Sequence, residues 1–206
     1  TVVTGQSIES ALPFSQSCEN NKGPILEKLK KILVTNKHVL EIASGTGQHA
    51  TFFSNELPHL AWQPTEIPSQ IRNLSLRLTA SQSVNLLPAV ELDVDQEEWG
   101  VPETEAIFTA NSLHIISKES VKNFILQAGE ILKKRGRLIV YGPFKYNQRF
   151  TSSSNADFDN MLRERSSDSA IRDFEWVCDL CESENLFLET DFAMPANNRL
   201  LLFKKT

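Results

Sequence analysis

Cysteine is scarce in this chain of 206 residues: there are three, Cys18, Cys178 and Cys181. An odd, sparse set without secretory signals argues against a disulfide-stapled secreted scaffold and points to a reducing, cytoplasmic compartment. No staple is needed, because a chain of this length buries roughly 70% of its extended surface. Long apolar runs are also lacking. None approaches the ~18–20 residues of a membrane span, and the opening TVVTGQSIES has neither the basic patch nor the apolar stretch of a signal peptide. Positive charge is not in excess: 21 Lys and Arg stand against 26 Asp and Glu, a formal net charge of −5. That argues against non-specific nucleic-acid binding. Internal repeats, low-complexity tracts and composition breaks are absent, so residues 1–206 are expected to form one domain.

What is present is an alternation of strands and helices. Residues 1–22 read as an N-terminal arm, with Asn20 or Asn21 capping a helix that has Pro24 in its first turn. Strands are expected at His38–Ala43, at Leu60–Thr65 ending on Glu66, near Pro88–Leu92 ending on Asp93, and at Glu105–Ala110 ending on Asn111. Pro68 is expected to open a helix carrying Ile71, Leu74 and Leu78. A helix over Val121–Lys134, stopped by Gly136, precedes a fifth strand at Arg137–Gly142. Helices follow over roughly 155–165 and 169–184, then a hairpin of Leu186–Phe192 and Leu200–Lys204 around Pro195–Asn198. This rhythm predicts an α/β fold: a Rossmann-like, mainly parallel sheet with a C-terminal antiparallel hairpin. Residues 144–165 interrupt the rhythm and are a candidate lid.

The most informative stretch joins the first strand to the next helix, Val39-Leu-Glu-Ile-Ala-Ser-Gly-Thr-Gly-Gln-His-Ala50. Glycines at 45 and 47 permit backbone angles and close approaches that a Cβ would block. An acid about 20 positions on, at the end of the second strand, is expected to hold a ribose, and Glu66 stands there. Gly45-x-Gly47-x-x-Ala50 fits a dinucleotide fingerprint, which would make the chain an NAD(P)-dependent oxidoreductase. Glu41-Ile-Ala43-Ser-Gly45-Thr-Gly47 fits a loop for S-adenosylmethionine, and Glu41 favours that cofactor because a carboxylate can anchor its ammonium group. Ala43 replaces the usual first glycine, which suits a negative φ. A third alternative is a binding module that holds the cofactor and transfers nothing.

The segments Cys18-Glu-Asn-Asn-Lys-Gly-Pro24, Leu40-Glu-Ile-Ala-Ser-Gly-Thr-Gly-Gln-His49, Trp62-Gln-Pro64, Phe108-Thr-Ala-Asn-Ser-Leu-His114, Tyr141-Gly-Pro-Phe144, Ser154-Asn-Ala-Asp-Phe-Asp159, Ile171-Arg-Asp173 and Met194-Pro-Ala-Asn-Asn198 resemble the methyltransferase-like protein 26 family. The resemblance covers nearly the whole chain. It implies a class I S-adenosylmethionine-dependent methyltransferase fold, with a seven-stranded sheet, and supplies no acceptor. By that resemblance Gly45 and Gly47 belong to the cofactor loop, Glu66 is the ribose acid, Asp93 the adenine-side acid, and Asn111 the residue after the fourth strand. Ser44, Thr46 and His49 complete the candidate cofactor set with Glu41 and Ala43.

A small-molecule acceptor is expected rather than a macromolecule. Its candidate ligands are Asn20 and Lys22 on the arm, Tyr141 and Tyr146 beyond the fifth strand, and Arg172. Asn111 can orient the acceptor or cap a short helix at Ser112–Ile116. His114, three residues on, is the first candidate for a base, against the blander reading of a structural imidazole. His49 is read as near the loop or simply on a helix surface. Tyr141-x-x-x-Lys145 matches a dehydrogenase spacing, but Gly142-Pro143 forbids the shared helical face. Cys178-x-x-Cys181 lacks the partners of a zinc site and reads as core, on one face with Ile171 and Phe174. No metal is expected. Lys133-Lys-Arg135 reads as the cationic end of a helix.

Overall fold

Ser15 starts the first helix: its hydroxyl accepts from the Cys18 amide. The computed structural model describes residues 12–206, and helix α1 runs Gln16–Ile32. The cap is therefore not Asn20 or Asn21, and Pro24 lies in the helix interior rather than its first turn. The carbonyl that Pro24 cannot serve belongs to Asn20, which is exposed to water. The expected arm is thus helical from Gln16, and its residues 1–11 lie outside the described ones. Ile25, Leu26, Leu29 and Ile32 recur at helical spacing and are all buried.

The chain divides into two compact units, up to Leu92 and from Asp93 onward. In the first, β1 (His38–Ile42), α2 (Gln48–Glu56), β2 (Ala61–Glu66), α3 (Ile71–Thr79) and β3 (Val90–Glu91) follow α1. The strands are parallel, in the order β3-β2-β1. β3 is shorter than Pro88–Leu92, and Pro68 stands in a turn before α3, which Gln70 caps. Phe53 and Trp62, both fully buried, pack 5.4 Å apart between α2 and β2.

The second unit contains β4 (Thr104–Ala110), α4 (Lys118–Ile131), β5 (Leu132–Gly142), β6 (Phe144–Lys145), α5 (Ser153–Arg165), β7 (Arg172–Asp173), α6 (Phe174–Ser183), β8 (Leu186–Met194), a 3₁₀ turn (Pro195–Asn197) and β9 (Asn198–Lys205). β4 and β5 are parallel, β9 is antiparallel to β5, and β8 closes the order β4-β5-β9-β8. Leu138–Tyr141 and Leu200–Phe203 are buried without alternation, as strands covered on both faces must be. β6 and β7 form a separate parallel pair inside the segment that carries the candidate lid. Among the described residues no helix is long and apolar enough to cross a membrane.

One boundary is moved by tertiary pairing. Ser117 caps α4, which ends at Ile131, because Leu132 already pairs with Thr104 of β4. The register then jumps from Thr104–Leu132 to Ala106–Arg137, so residues 133–136 bulge opposite Glu105. Arg135 has φ 67°. Lys133-Lys-Arg135 is therefore part of a bulge in β5, not a helix terminus, and Gly136 is no helix stop. A Cβ on Gly136 would lie 2.7 Å from the Lys133 carbonyl oxygen. Likewise α6 starts at Phe174, so Ile171 lies outside it; Cys181 is core and Cys178 half-buried.

Gly136→Ala is expected to lower stability by about 1–3 kcal/mol, since the clash is with backbone. Gly23→Ala, inside α1 with nothing within 4 Å of the new Cβ, should raise it by about 0.5–1 kcal/mol. Denaturant midpoints read both, and equal effects would remove the bulge argument.

Candidate functional site

After β1 the backbone turns left-handed at every second residue: Ala43 has φ 57°, Gly45 φ 54° and Gly47 φ 76°. The negative φ expected of Ala43 is thus wrong. The position keeps the glycine-like conformation and carries a Cβ there, at about 1–2 kcal/mol of local cost. Sheet pairing ends just before it, although Ser44 N still donates to Thr65 O at 2.8 Å. Gly47 N closes the turn on Ser44 O at 2.9 Å and stands as the N-cap of α2. A Cβ on Gly47 would meet Leu74 Cδ1 at 2.9 Å and Arg77 Cδ at 3.2 Å, so this glycine also lets α3 pack close.

Two carboxylates meet this loop. Glu66, at the end of β2 and nearly buried, accepts from Gly45 N through Oε2 at 2.7 Å and from Ile67 N through Oε1 at 2.9 Å. Glu41, 2% exposed, accepts from the Trp62 indole through Oε2 at 2.8 Å. Burial pushes its carboxyl up to about 7; the bonds from Trp62 and Ser44 oppose this, and the nearby Glu66 adds to it. Glu41 therefore titrates near neutrality, beside a loop whose amides at Ser44, Gly45 and Gly47 already have acceptors.

Residues with no obvious signal in the sequence hold the loop from behind. Thr46 Oγ1 donates to Gln48 Oε1 at 2.9 Å, and Gln48 Oε1 also accepts from Ser15 N at 2.6 Å. Gln48 Nε2 donates to Glu19 Oε1 at 2.7 Å. Arg77 Nε donates to Thr46 O at 2.6 Å, while its Nη2 donates to Pro13 O. The start of α1 is thus a clamp on the glycine loop. Lys22 takes part in it by donating to Glu19 Oε2 at 2.5 Å, with its ammonium 4.9 Å over the Phe52 ring. Asn20 is exposed and accepts from Gln16 at 2.9 Å. His49 is not a surface residue. It is buried, stacks on Phe53 at 5.2 Å and lies 2.6 Å from Asn21 Oδ1. Burial drives its pKa down to about 4, leaving it neutral.

The second unit holds the other candidates. Asp93 forms a turn, with Oδ1 accepting from Asp95 N at 3.0 Å and its amide donating to Gln96 Oε1 at 2.9 Å. Asn111 follows β4 in the left-handed region, φ 56°, its amide donating to Tyr141 O at 2.9 Å. Residues 112–116 form a hydrogen-bonded turn on Ser112 O, not a short helix. His114 is 5% exposed, edge-on to Phe158 at 5.4 Å, and burial with the nearby Arg172 lowers its pKa to about 4. It is a poor base at neutral pH.

Tyr141 lies buried in β5 while Lys145 lies in β6, 3.5 Å from Asp173, so they share no helical face. Tyr146 is committed to the hairpin: its hydroxyl donates to Asp191 at 2.8 Å and its ring stacks on Phe174 at 4.7 Å. Burial and Asp191 raise its pKa. Among the described residues no group of acids, histidines and cysteines could hold a metal ion.

Residues 12–205 match the family described as "Protein of unknown function (DUF938)". The chain belongs to this family. Solved structures similar to it include an O-methyltransferase family protein from Burkholderia thailandensis, 14% identical, covering 92% of this chain and 57% of that one at a TM-score of 0.80. Human N-acetylserotonin methyltransferase in complex with SAM is 16% identical, with coverages of 92% and 53% and a TM-score of 0.77. PigF with SAH is 17% identical, with coverages of 92% and 61% and a TM-score of 0.70. The chain spans little more than half of each of these longer proteins. This DUF938 chain thus has the α/β Rossmann-like class I methyltransferase fold, seven strands that are mainly parallel and end in an antiparallel hairpin.

Two outcomes follow for the loop. Ala43→Gly removes the left-handed cost but adds chain entropy, so it should leave stability unchanged or raise it by up to about 1 kcal/mol, while Ala43→Val should lower it by more than that. Chemical denaturation of the two variants checks this, and the opposite order would contradict the loop geometry. Glu41 holds its proton in the folded state between the ordinary value of 4.5 and about 7. Its contribution to stability is therefore present at acid pH and is lost as pH rises through about 7. Glu41→Gln should lose less melting temperature than the parent between about pH 5 and about pH 8; parallel profiles would contradict the buried acid.

Proposed function

We propose that the chain is an S-adenosylmethionine-dependent methyltransferase whose cofactor is held in the first unit by Glu41, the turn at Ala43–Gly47 and Glu66. One observation carries this reading: three left-handed residues at alternate positions, with a carboxylate from β1 and another from β2 bonded to the surrounding framework. Glu66 uses one lone pair on each oxygen for Gly45 and Ile67, and a carboxylate offers about four acceptor sites. The remaining sites suit the two hydroxyls of a ribose. Ionised Glu41 suits the ammonium of the methionine end. The resemblance to the methyltransferase-like protein 26 family supports the same assignment and extends it to Asp93 and Asn111.

Methyl transfer from a sulfonium is an in-line displacement on an activated carbon. Held by Glu41, the Ala43–Gly47 turn and Glu66, the cofactor would supply a methyl group on an activated sulfonium, with neutral thioether as the leaving group. Holding acceptor atom, methyl carbon and sulfur in line can supply ~7–11 kcal/mol without any protein nucleophile. The buried, neutral histidines fit a reaction that relies on positioning rather than on a base. A nicotinamide-dependent oxidoreductase is disfavoured by the placement of Tyr141 and Lys145, which removes the only dehydrogenase-like pair found in the sequence.

Calorimetric titration tests the proposal. S-Adenosylhomocysteine should bind and NADPH should not. Glu66→Ala should weaken the former by about 1.5–3 kcal/mol, the range of a charge-assisted hydrogen bond. Unchanged affinity in that variant, or preference for the nicotinamide, would sink the assignment. Retained binding with no S-adenosylhomocysteine formed from broad metabolite pools would favour the non-transferring module.

A further inference from the structure

The second unit contains a cavity of ≈ 300 Å³ that is separate from the glycine loop and belongs to the α5–β7 segment and its neighbours. Its volume is at the lower end of the roughly 300–1,000 Å³ range of small-molecule sites. In a chain of net charge −5, its lining is cationic: Lys118, Lys145, Arg163 and Arg172 outnumber Asp168 and Asp173. Some of this charge is already used. Arg163 bonds Asp159 at 2.7 Å, and Lys145 lies 3.5 Å from Asp173.

Arg172 and Lys118 are different. Arg172 is only 4% exposed. Its Nε donates to Leu113 O at 3.0 Å, and its Nη2 donates to Ile116 O and to Asp168 O at 2.6 Å. These acceptors are neutral carbonyls, so the guanidinium is positioned without being neutralised by an ion pair. Its Nη1 bonds no acceptor among the described residues. Lys118 has no ion pair among them either; its ammonium lies 5.2 Å over the Trp176 ring. A planar donor group that is fixed and buried, with the carboxylates of Asp159, Asp168 and Asp173 acting on it only from beyond ion-pair distance, can recognise an oxyanion, because guanidinium N–H groups match carboxylate and phosphate oxygens.

We infer that this cavity binds the anionic end of a small molecule, a phosphate monoester or a carboxylate, with Arg172 Nη1 and Lys118 as its donors. The three carbonyls that hold Arg172 come partly from the turn following Asn111, so the anion would be registered against the end of β4. Only in naming that molecule as the methyl acceptor does the inference rest on the proposed transferase reading.

The test uses the full chain. Inorganic phosphate and acetate are titrated separately by calorimetry, against the parent, Lys118→Glu and, as a control of surface charge, Lys133→Glu in the exposed β5 bulge. Saturable binding of either anion to the parent, about tenfold weaker in Lys118→Glu and unchanged in Lys133→Glu, is expected. The preferred anion then tells phosphomonoester from carboxylate. Binding to neither, or equal loss in both variants, overturns the inference. Arg172→Lys is examined with its melting temperature: a folded variant that binds as the parent does would also overturn it. Each protein is titrated with S-adenosylhomocysteine in parallel. Nucleoside binding without anion binding defeats the cavity alone; anion binding without nucleoside binding defeats the transferase reading and leaves the cavity.

Discussion

The hydrogen bond from Gly45 N to the Glu66 carboxylate is the constraint on which the site in the first unit depends. A backbone that is left-handed at 43, 45 and 47 cannot continue the sheet, and its amides need acceptors that a strand neighbour no longer supplies. The parallel register of β1 and β2 brings Glu66 to the loop: Glu41 pairs with Pro64, and Ser44 N reaches Thr65 O, so the next residue of β2 arrives at Gly45. A charge-assisted bond of ~1.5–3 kcal/mol outweighs the ~1–2 kcal/mol cost of the Ala43 conformation. The loop is shaped by the same carboxylate that the proposed cofactor needs.

Glu41 shows the opposite balance. Its environment gives one indole donor and a Ser44 bond but excludes water, so burial dominates and pushes the carboxyl up to about 7. A cationic ligand group would shift that equilibrium toward the anion, since an opposite charge close by favours the charged form. Binding of a cation and loss of the Glu41 proton are then one linked event. Glu19 shifts the other way: part-buried bonds from Lys22 and Gln48 hold its pKa below the usual range. Two glutamates around one loop are thereby shifted in opposite directions, Glu41 up by burial and Glu19 down by its hydrogen bonds.

The alternation of strands and helices, the glycine loop and the acid at the end of β2 are legible because each is local. Val39–Ile42 is an apolar run that meets Gly45 and Gly47, and Glu66 lies at a fixed distance along the chain. What was not legible came from tertiary contacts. Nothing near Ser15 announces that its amide will bond Gln48, so the start of α1 looked like an arm. Leu132 reads as the end of an amphipathic helix until Thr104 pairs with it. Arg172 is an expected acceptor ligand in the sequence, but nothing there shows that carbonyls of Leu113, Ile116 and Asp168 hold it. Ala43 departs from its expected negative φ for a different reason: a preference of about 1–2 kcal/mol is easily overridden by the bonds on either side of it.

The placement of the histidines bears on what chemistry the chain can perform. An imidazole with a pKa near 4 is neutral at physiological pH but a weak proton acceptor, and both His49 and His114 are in that state because they are buried. Neither can be made a good base without exposing it or adding a carboxylate. His114 faces the reverse, since the charge that acts on it is the Arg172 guanidinium. The same cation that depresses a base favours an anion. By their charge and burial, these groups of the second unit are better suited to holding a negatively charged molecule in place than to removing a proton from it.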